Sequence, residues 1–252
     1  MVGGIDSFTN WFRGYQDQYI IIGGTACDML IGSRGGNFRA TKDIDMVLIV
    51  EAITPEFGKR FWGYVKEAGY EHINKSTDTP QYYRFSKPKG KAYPFMIELF
   101  SRKLESIPLD EDADITPIPV DDEIASLSAI LLDDDYYYFM RSGTMVIDEI
   151  PILDIEHLIP FKAKAWLDLL DRSANGEHVD SRNIKKHKND IFRLYAYISK
   201  SSRLDLPASI RNDMEDFFAR IEKENIELKS FDITKEGKDD ILAALKKIYN
   251  MD

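Results

Sequence analysis

Two stretches of this chain carry residues whose types and spacing can do chemistry. One is Ile20-Ile21-Ile22-Gly23-Gly24-Thr25-Ala26. The other is Arg39-Ala40-Thr41-Lys42-Asp43-Ile44-Asp45, which runs on into Met46-Val47-Leu48-Ile49-Val50. The second opens an apolar strand with two carboxylates one residue apart. Residues i and i+2 of a strand point to the same face, with Cα atoms roughly 6–7 Å apart. Asp43 and Asp45 are therefore predicted to aim at one spot while Ile44 points into the core. Two like charges ~4 Å apart repel by about 4 kcal/mol at an effective dielectric near 20. Sharing a proton or binding a cation relieves that repulsion. Oxygen-only ligands on a rigid strand suit Mg²⁺ (or Mn²⁺), which keeps some waters and takes its other ligands from substrate phosphates.

The first stretch supplies the partner half. An apolar strand that ends in Gly23-Gly24 and turns into a short helix exposes backbone N–H groups with no side chain in the way, an arrangement that holds anions such as phosphate. Thr25 is expected to cap the helix or to donate its hydroxyl to a phosphate oxygen. A phosphate cradle beside a paired-carboxylate metal site is a constellation for phosphoryl or nucleotidyl transfer.

The run Gly23-Gly24-Thr25-Ala26, followed by Arg39-x-Thr41-x-Asp43-Ile44-Asp45, resembles the nucleotidyltransferase superfamily. Within it, the chain is similar to the abortive-infection toxins of the AbiEii/AbiGii type and their uncharacterised bacterial relatives. Eighteen residues separate Gly24 from Asp43, a few more than the superfamily pattern. The excess is assigned to a loop over Gly32-Ser33-Arg34-Gly35-Gly36-Asn37-Phe38. The resemblance implies a third acid, flanked by apolar residues, on a later strand. Glu98, the one charge in Tyr93-Pro94-Phe95-Met96-Ile97-Glu98-Leu99-Phe100, fits it. A carboxylate there must be paired, exposed at an edge or bound to a cation, and adjacent strands lie about 4.8 Å apart. A two-metal displacement needs ions about 3.5–4 Å apart, which three carboxylates on neighbouring strands can supply.

Elements must position these residues. Phe8, Trp11, Phe12 and Tyr15 recur at helical spacing over 5–18, with Asp6 or Ser7 as N-cap. Strands are predicted over 18–22 and 44–50, with a short helix over 25–31. A helix over 54–69 carries Pro55 in its first turn and Gly69 as C-cap. Strands follow over 70–74 and 82–86, with a turn over 75–80, and Lys87-Pro88-Lys89-Gly90-Lys91 reads as a solvated basic turn. The acid- and proline-rich 105–123 is a loop, 124–132 a short helix, and Asp133-Asp134-Asp135 a polar turn. Strands over 136–141 and 144–147 are expected to pair around Ser142-Gly143, with a last strand over 150–153.

Beyond residue 150 the pattern turns helical. Asp154 is predicted to cap a short helix over 155–158, and Pro160 to start a second over 160–172. Further helices are expected over 187–200, 207–221 and 235–249. The fold expected is therefore α/β (α+β): a nucleotidyltransferase-type small mixed sheet with flanking helices over 1–150, then a helical domain over 151–252. By resemblance, the basic patches of that domain hold the substrate phosphates. Lys164, with Lys162 as its competitor and Arg172 two turns on, matches one element. Lys188 with Asp190 matches the other, Asp190 orienting a lysine or touching the ribose.

Composition bounds the rest. The 252 residues are 44% hydrophobic and 30% charged, with a net charge of −10, an ordinary globular balance. The acidic balance argues against non-specific binding of long nucleic acid. No apolar run reaches the ~18–20 residues of a membrane helix, and the start of the chain has neither the basic segment nor the apolar core of a signal peptide. The single cysteine, Cys27, excludes an internal disulfide and is expected to be a buried packing residue, so a cytoplasmic location is the default. The four histidines show no metal-ligand spacing.

The expected activity is Mg²⁺-dependent transfer of a nucleoside monophosphate from an NTP to an RNA or protein acceptor. Asp43, Asp45 and Glu98 are the expected metal ligands, with Glu98 also the base. Gly23, Gly24, Thr25, Arg39, Lys164, Lys188 and Asp190 are the expected nucleotide contacts. The resemblance implies a toxin with a cognate antitoxin protein. The alternative is a catalytically silent nucleotide-binding module acting as a sensor or assembly partner.

Overall fold

The structure, a computed structural model, describes residues 2–73, 81–101, 130–131 and 133–251. It divides into two compact units, 1–120 with 144–154, and 121–143 with 155–252. The expected turn over 75–80, the loop over 105–123 and almost all of the helix over 124–132 lie outside the described residues.

The first unit is a mixed α/β layer. Its elements are α1 (Ile5–Phe12), β1 (Tyr19–Ile22), α2 (Gly23–Ser33), β2 (Asp43–Leu48), α3 (Pro55–Ala68), β3 (Glu71–Ile73), β4 (Gln81–Ser86), β5 (Met96–Ser101), β6 (Thr144–Ile147) and β7 (Ile150–Leu153). The seven strands form one sheet in the order β3-β4-β5-β2-β1-β7-β6. The β2/β5 and β1/β7 pairs are parallel and the others antiparallel. β1 lies inside the sheet and is apolar throughout, and all four of its residues are buried. β2 is buried from Met46 to Leu48, but its first turn of pleat alternates: Asp43 and Asp45 are half-buried and Ile44 is fully buried. The acid pair thus emerges where one face of the strand opens.

Aromatic packing fastens the helices. Phe8 and Phe12 of α1 meet Phe57, Phe61 and Tyr64 of α3 and Tyr19 of β1 at ring separations of 5.4–6.1 Å. The ends of α3 are set locally, as its sequence predicts. The Thr54 hydroxyl accepts from the Phe57 N–H at 3.2 Å, and Gly69 closes the helix in the left-handed region. The Gln18 side chain accepts from the Thr54 N–H at 2.8 Å, tying the start of β1 to that cap.

Several expected elements differ. α2 begins at Gly23 and runs to Ser33, so Gly32 and Ser33 are helical and the connection to β2 starts at Arg34. Residues 134–142 form a helix, α4 (Asp134–Ser142), where a strand was expected. Asp133 caps it by accepting from the Tyr136 N–H, and Asp134 and Asp135 add negative charge to its first turn. β6 therefore pairs with β7 around Asp148-Glu149. These two residues have φ of 48° and 65°, the left-handed pair that a two-residue hairpin turn requires.

The second unit is helical: α4, α5 (Ile155–Ala174), α6 (Ser181–Tyr195), α7 (Ala208–Ile221) and α8 (Lys238–Ile248). α5 packs against α6 and α7. The helices expected over 155–158 and 160–172 are one helix, with Pro160 inside it. A proline there leaves the carbonyl four residues back without its helical N–H. That carbonyl belongs to Glu156, and the Tyr249 hydroxyl, on a fully buried side chain, donates to it at 2.8 Å. α6 begins six residues before the expected position because Asp180 caps it through the Arg182 N–H. No helix of the described residues is long and apolar enough to cross a membrane.

The Tyr249 bond makes a thermodynamic prediction. Tyr249→Phe leaves a part-buried carbonyl without this partner and is expected to cost about 1 kcal/mol in denaturant unfolding. In a Pro160→Ala background the backbone N–H restored at that position reclaims the Glu156 carbonyl, and Tyr249→Phe should then cost less than half as much.

Candidate active site

The site is built on a row of strands in register. Ile22 of β1 faces Asp45 of β2, Asp45 faces Glu98 of β5, and Glu98 faces Arg84 of β4. Side chains at matched positions of adjacent strands share a face, so Asp45, Glu98 and Arg84 stand side by side. Asp43, two residues from Asp45, lies opposite Met96 on the same face. Glu98 is 7% exposed. Arg84 donates to its Oε1 from Nε at 2.8 Å and from Nη2 at 2.6 Å. Burial, and then the Asp45 carboxylate beside it, hold the Glu98 carboxyl well above the usual carboxylate range, against the opposing pull of Arg84.

The two glycines make room for this face. Gly23 is the first residue of α2 and has φ +66°. A Cβ there would lie 1.8 Å from Asp45 Oδ2 and 2.8 Å from its Cγ, so the missing side chain is the space in which the Asp45 carboxylate sits. That space adjoins the N-terminus of an 11-residue helix, whose first N–H groups and partial positive charge favour an anion. A Cβ on Gly24 would lie 2.8 Å from the Thr41 Oγ1 and 3.5 Å from the Arg39 Nη2. Arg39 therefore reaches the same helix end, with its guanidinium 4.9 Å from the Phe38 ring centroid.

Thr25 has a different role from the one expected. Its side chain is fully buried, and its hydroxyl donates to the Asp43 carbonyl at 2.5 Å. It ties the first turn of α2 to the start of β2 and so sets the height of the acid pair, while only its backbone remains as a phosphate donor. Cys27 is buried, as expected.

The basic residues expected to hold phosphate are tied within the helical unit. Lys162, 5% exposed, lies 3.4 Å from the fully buried Asp190, which also accepts from Arg193 at 3.1 Å. Asp190 thus orients Lys162 and has no exposed surface for a ribose contact. Lys164 pairs with Asp213 at 2.7 Å, and Asp213 also accepts from the Tyr136 hydroxyl at 3.0 Å. Lys188 pairs with Glu224 at 2.5 Å, and Arg172 donates to Glu177 at 2.8 Å. Arg84 and Asp213 escaped the sequence reading. Neither stands out in its segment, and each gains meaning only from a partner 14 or 49 positions away.

Among the described residues, no three His, Cys, Asp or Glu side chains gather closely enough to hold an ion between them. Asp43 and Asp45 still fit a hard divalent cation. They offer oxygen donors on one face, are half-buried, and lie beside a helix N-terminus where phosphates can supply further ligands.

No protein-family model matches this chain, and no curated protein does. Among solved structures it is similar to an antigenic nucleotidyltransferase-like protein from Paracoccidioides brasiliensis. The identity is 14% and the TM-score 0.48, over 97% of this chain and 91% of that one. It is also similar to the Megavirus polyadenylate synthase, with 12% identity and a TM-score of 0.42 over 88% of this chain and 36% of that one.

The seat of Asp45 is directly testable. Gly23→Ala adds a Cβ at the carboxylate's position and places a non-glycine residue at positive φ, a strain of about 1–3 kcal/mol. Chemical denaturation is expected to show a loss in that range. Isothermal titration with Mn²⁺ should show affinity reduced by about tenfold or more, because Asp45 must move.

Proposed function

We propose that this protein is a nucleotidyltransferase that moves a nucleoside monophosphate from an NTP to a hydroxyl of an RNA or protein acceptor. The observation that carries the reading is the pairing of Asp43 and Asp45, on one open strand face, with the glycine-led N-terminus of α2. Asp43 and Asp45 hold a divalent cation, Mg²⁺ or Mn²⁺. When bound, that ion neutralises phosphate charge and polarises the α-phosphoryl group. The backbone N–H groups of Gly23, Gly24 and Thr25 receive phosphate oxygens, and Arg39, which reaches Gly24, adds a fixed positive charge.

The acceptor hydroxyl forms its bond to the α-phosphorus as the bond to the bridging oxygen breaks, and pyrophosphate leaves. Glu98 is the group placed to take the hydroxyl proton. Burial and the Asp45 carboxylate raise its proton affinity above that of an ordinary glutamate, so it serves as base in its ionised fraction, which grows as the pH rises. Roles for Lys164, Lys188 and Asp190 toward the triphosphate, and a toxin setting with a cognate antitoxin, rest on the resemblance alone. The Arg84 clamp on Glu98 favours one competing reading, a nucleotide-binding module that binds without turnover.

The test is incubation of the purified protein with each α-³²P NTP, Mg²⁺ or Mn²⁺, and total bacterial RNA and protein. Asp43→Ala/Asp45→Ala serves as the control. Label on RNA or protein only with intact carboxylates is the expected result. Metal-dependent NTP binding without transfer to any acceptor would favour the silent module. Absence of binding altogether would sink both readings.

A further inference from the structure

The sheet ends beside Asp43 in a row of matched positions. Asp43 of β2 faces Met96 of β5, and Met96 faces Ser86 of β4. Two connections meet the sheet at this end, 34–42 leading into β2 and 87–95 joining β4 to β5. Together they carry six cations, Arg34, Arg39, Lys42, Lys87, Lys89 and Lys91, and no acid, in a chain of net charge −10. Lys42, Lys89 and Lys91 are exposed. Lys87 pairs with Glu71 at 2.8 Å, with both side chains exposed, and such a pair contributes little. The two connections touch, because Lys42 Nζ lies 5.7 Å from the centroid of the Phe95 ring. Lys42 and Phe95 each stand one residue, about 3.3 Å, beyond the Asp43–Met96 match. Phe95 is 53% exposed. A second contact of this kind, Arg39 on Phe38, lies in the same connection as Lys42. Clustered cations draw a polyanion, and an open aromatic ring takes an unstacked base. A base inside a duplex is stacked on both sides and does not reach such a ring. A folded protein acceptor offers neither a row of phosphates nor free bases.

We propose that residues 34–42 and 87–95 form the seat of a single-stranded RNA acceptor, its terminal base stacked on Phe95 and its phosphates beside Lys42, Lys89 and Lys91. The terminal hydroxyl is thereby presented at the Asp43 end of the sheet. As an acceptor seat this surface rests on the transferase reading, whereas its binding of the strand does not depend on turnover. The seat is short and holds only a few nucleotides, in keeping with the acidic balance of the whole chain.

The experiment is fluorescence anisotropy of the full chain with a labelled single-stranded RNA of mixed sequence, about ten nucleotides long. EDTA is present so that no cation contributes, and thermal melting checks folding. Wild type should bind with a slope of log K against log salt of about −2, as about three phosphate contacts to a single strand require. Phe95→Ala should weaken binding by about tenfold, and Phe95→Tyr should keep it near wild type, because stacking needs only the ring. Lys42→Ala and Lys91→Ala should each make the salt slope shallower by about 0.7. The same sequence as a blunt duplex should bind about tenfold more weakly. Phe95→Ala binding as tightly as wild type, or equal affinity for the duplex, would overturn the proposal alone. So would label passing from NTP to protein in a wild type that binds no RNA, and the transferase reading would then survive. RNA held through Phe95, with no label transferred to any acceptor, would count against the transferase reading and leave the binding surface in place.

Discussion

The Asp45 carboxylate occupies the space that a side chain on Gly23 would fill, at the first residue of α2. Its neighbours answer to that seat. Ile22, the last residue of β1, is in register with Asp45, so the chain must leave the sheet one residue later, and only a residue tolerant of positive φ can make that turn. The helix that follows then points its unpaired N–H groups along the acid face. Thr25 draws the same turn onto the Asp43 carbonyl. The close approach of a helix start and a carboxylate needs both glycines and the buried threonine hydroxyl.

Concentrating carboxylates on a sheet face carries an electrostatic cost, and the structure meets it in two ways. Burial and the neighbouring Asp45 carboxylate raise the proton affinity of Glu98, and Arg84 brings a positive charge onto the same row from the next strand. Asp43, at the open end of β2, keeps more contact with solvent than Glu98 does. The result is graded. Glu98 is held by protein, while the Asp43 and Asp45 end is the part shaped for exchange with solutes.

The helical unit treats its polar groups in the same way. The fully buried Asp190 takes both Lys162 and Arg193 as partners. The carbonyl left open by Pro160 is taken up by Tyr249 from the far end of the chain. A proline inside a buried helix is tolerable when another element returns the lost hydrogen bond. The C-terminal helix α8 leads directly into the residue that does so.

Local physics made a large part of this legible in the sequence. The i, i+2 spacing of Asp43 and Asp45 sets a shared face in any strand, and Thr54, Pro55 and Gly69 bound α3 by capping chemistry that acts within a few residues. The all-apolar Tyr19–Ile22 could only be an interior strand. What the sequence could not decide were matters of partner choice. Residues 136–141 have strand-forming aromatics, but the Asp133 cap and the acidic first turn draw them into a helix, and β6 then takes β7 as its partner. Pro160 reads as a helix start until a hydroxyl 89 residues away satisfies Glu156. That Glu98 aligns with Asp45, and that Arg84 closes on Glu98, depends on the order and register of three strands. Side-chain period and propensity are properties of a short segment, whereas register is set by the packing of the whole sheet. The sequence by itself determined which residues could do chemistry, and the tertiary structure decided which of them meet.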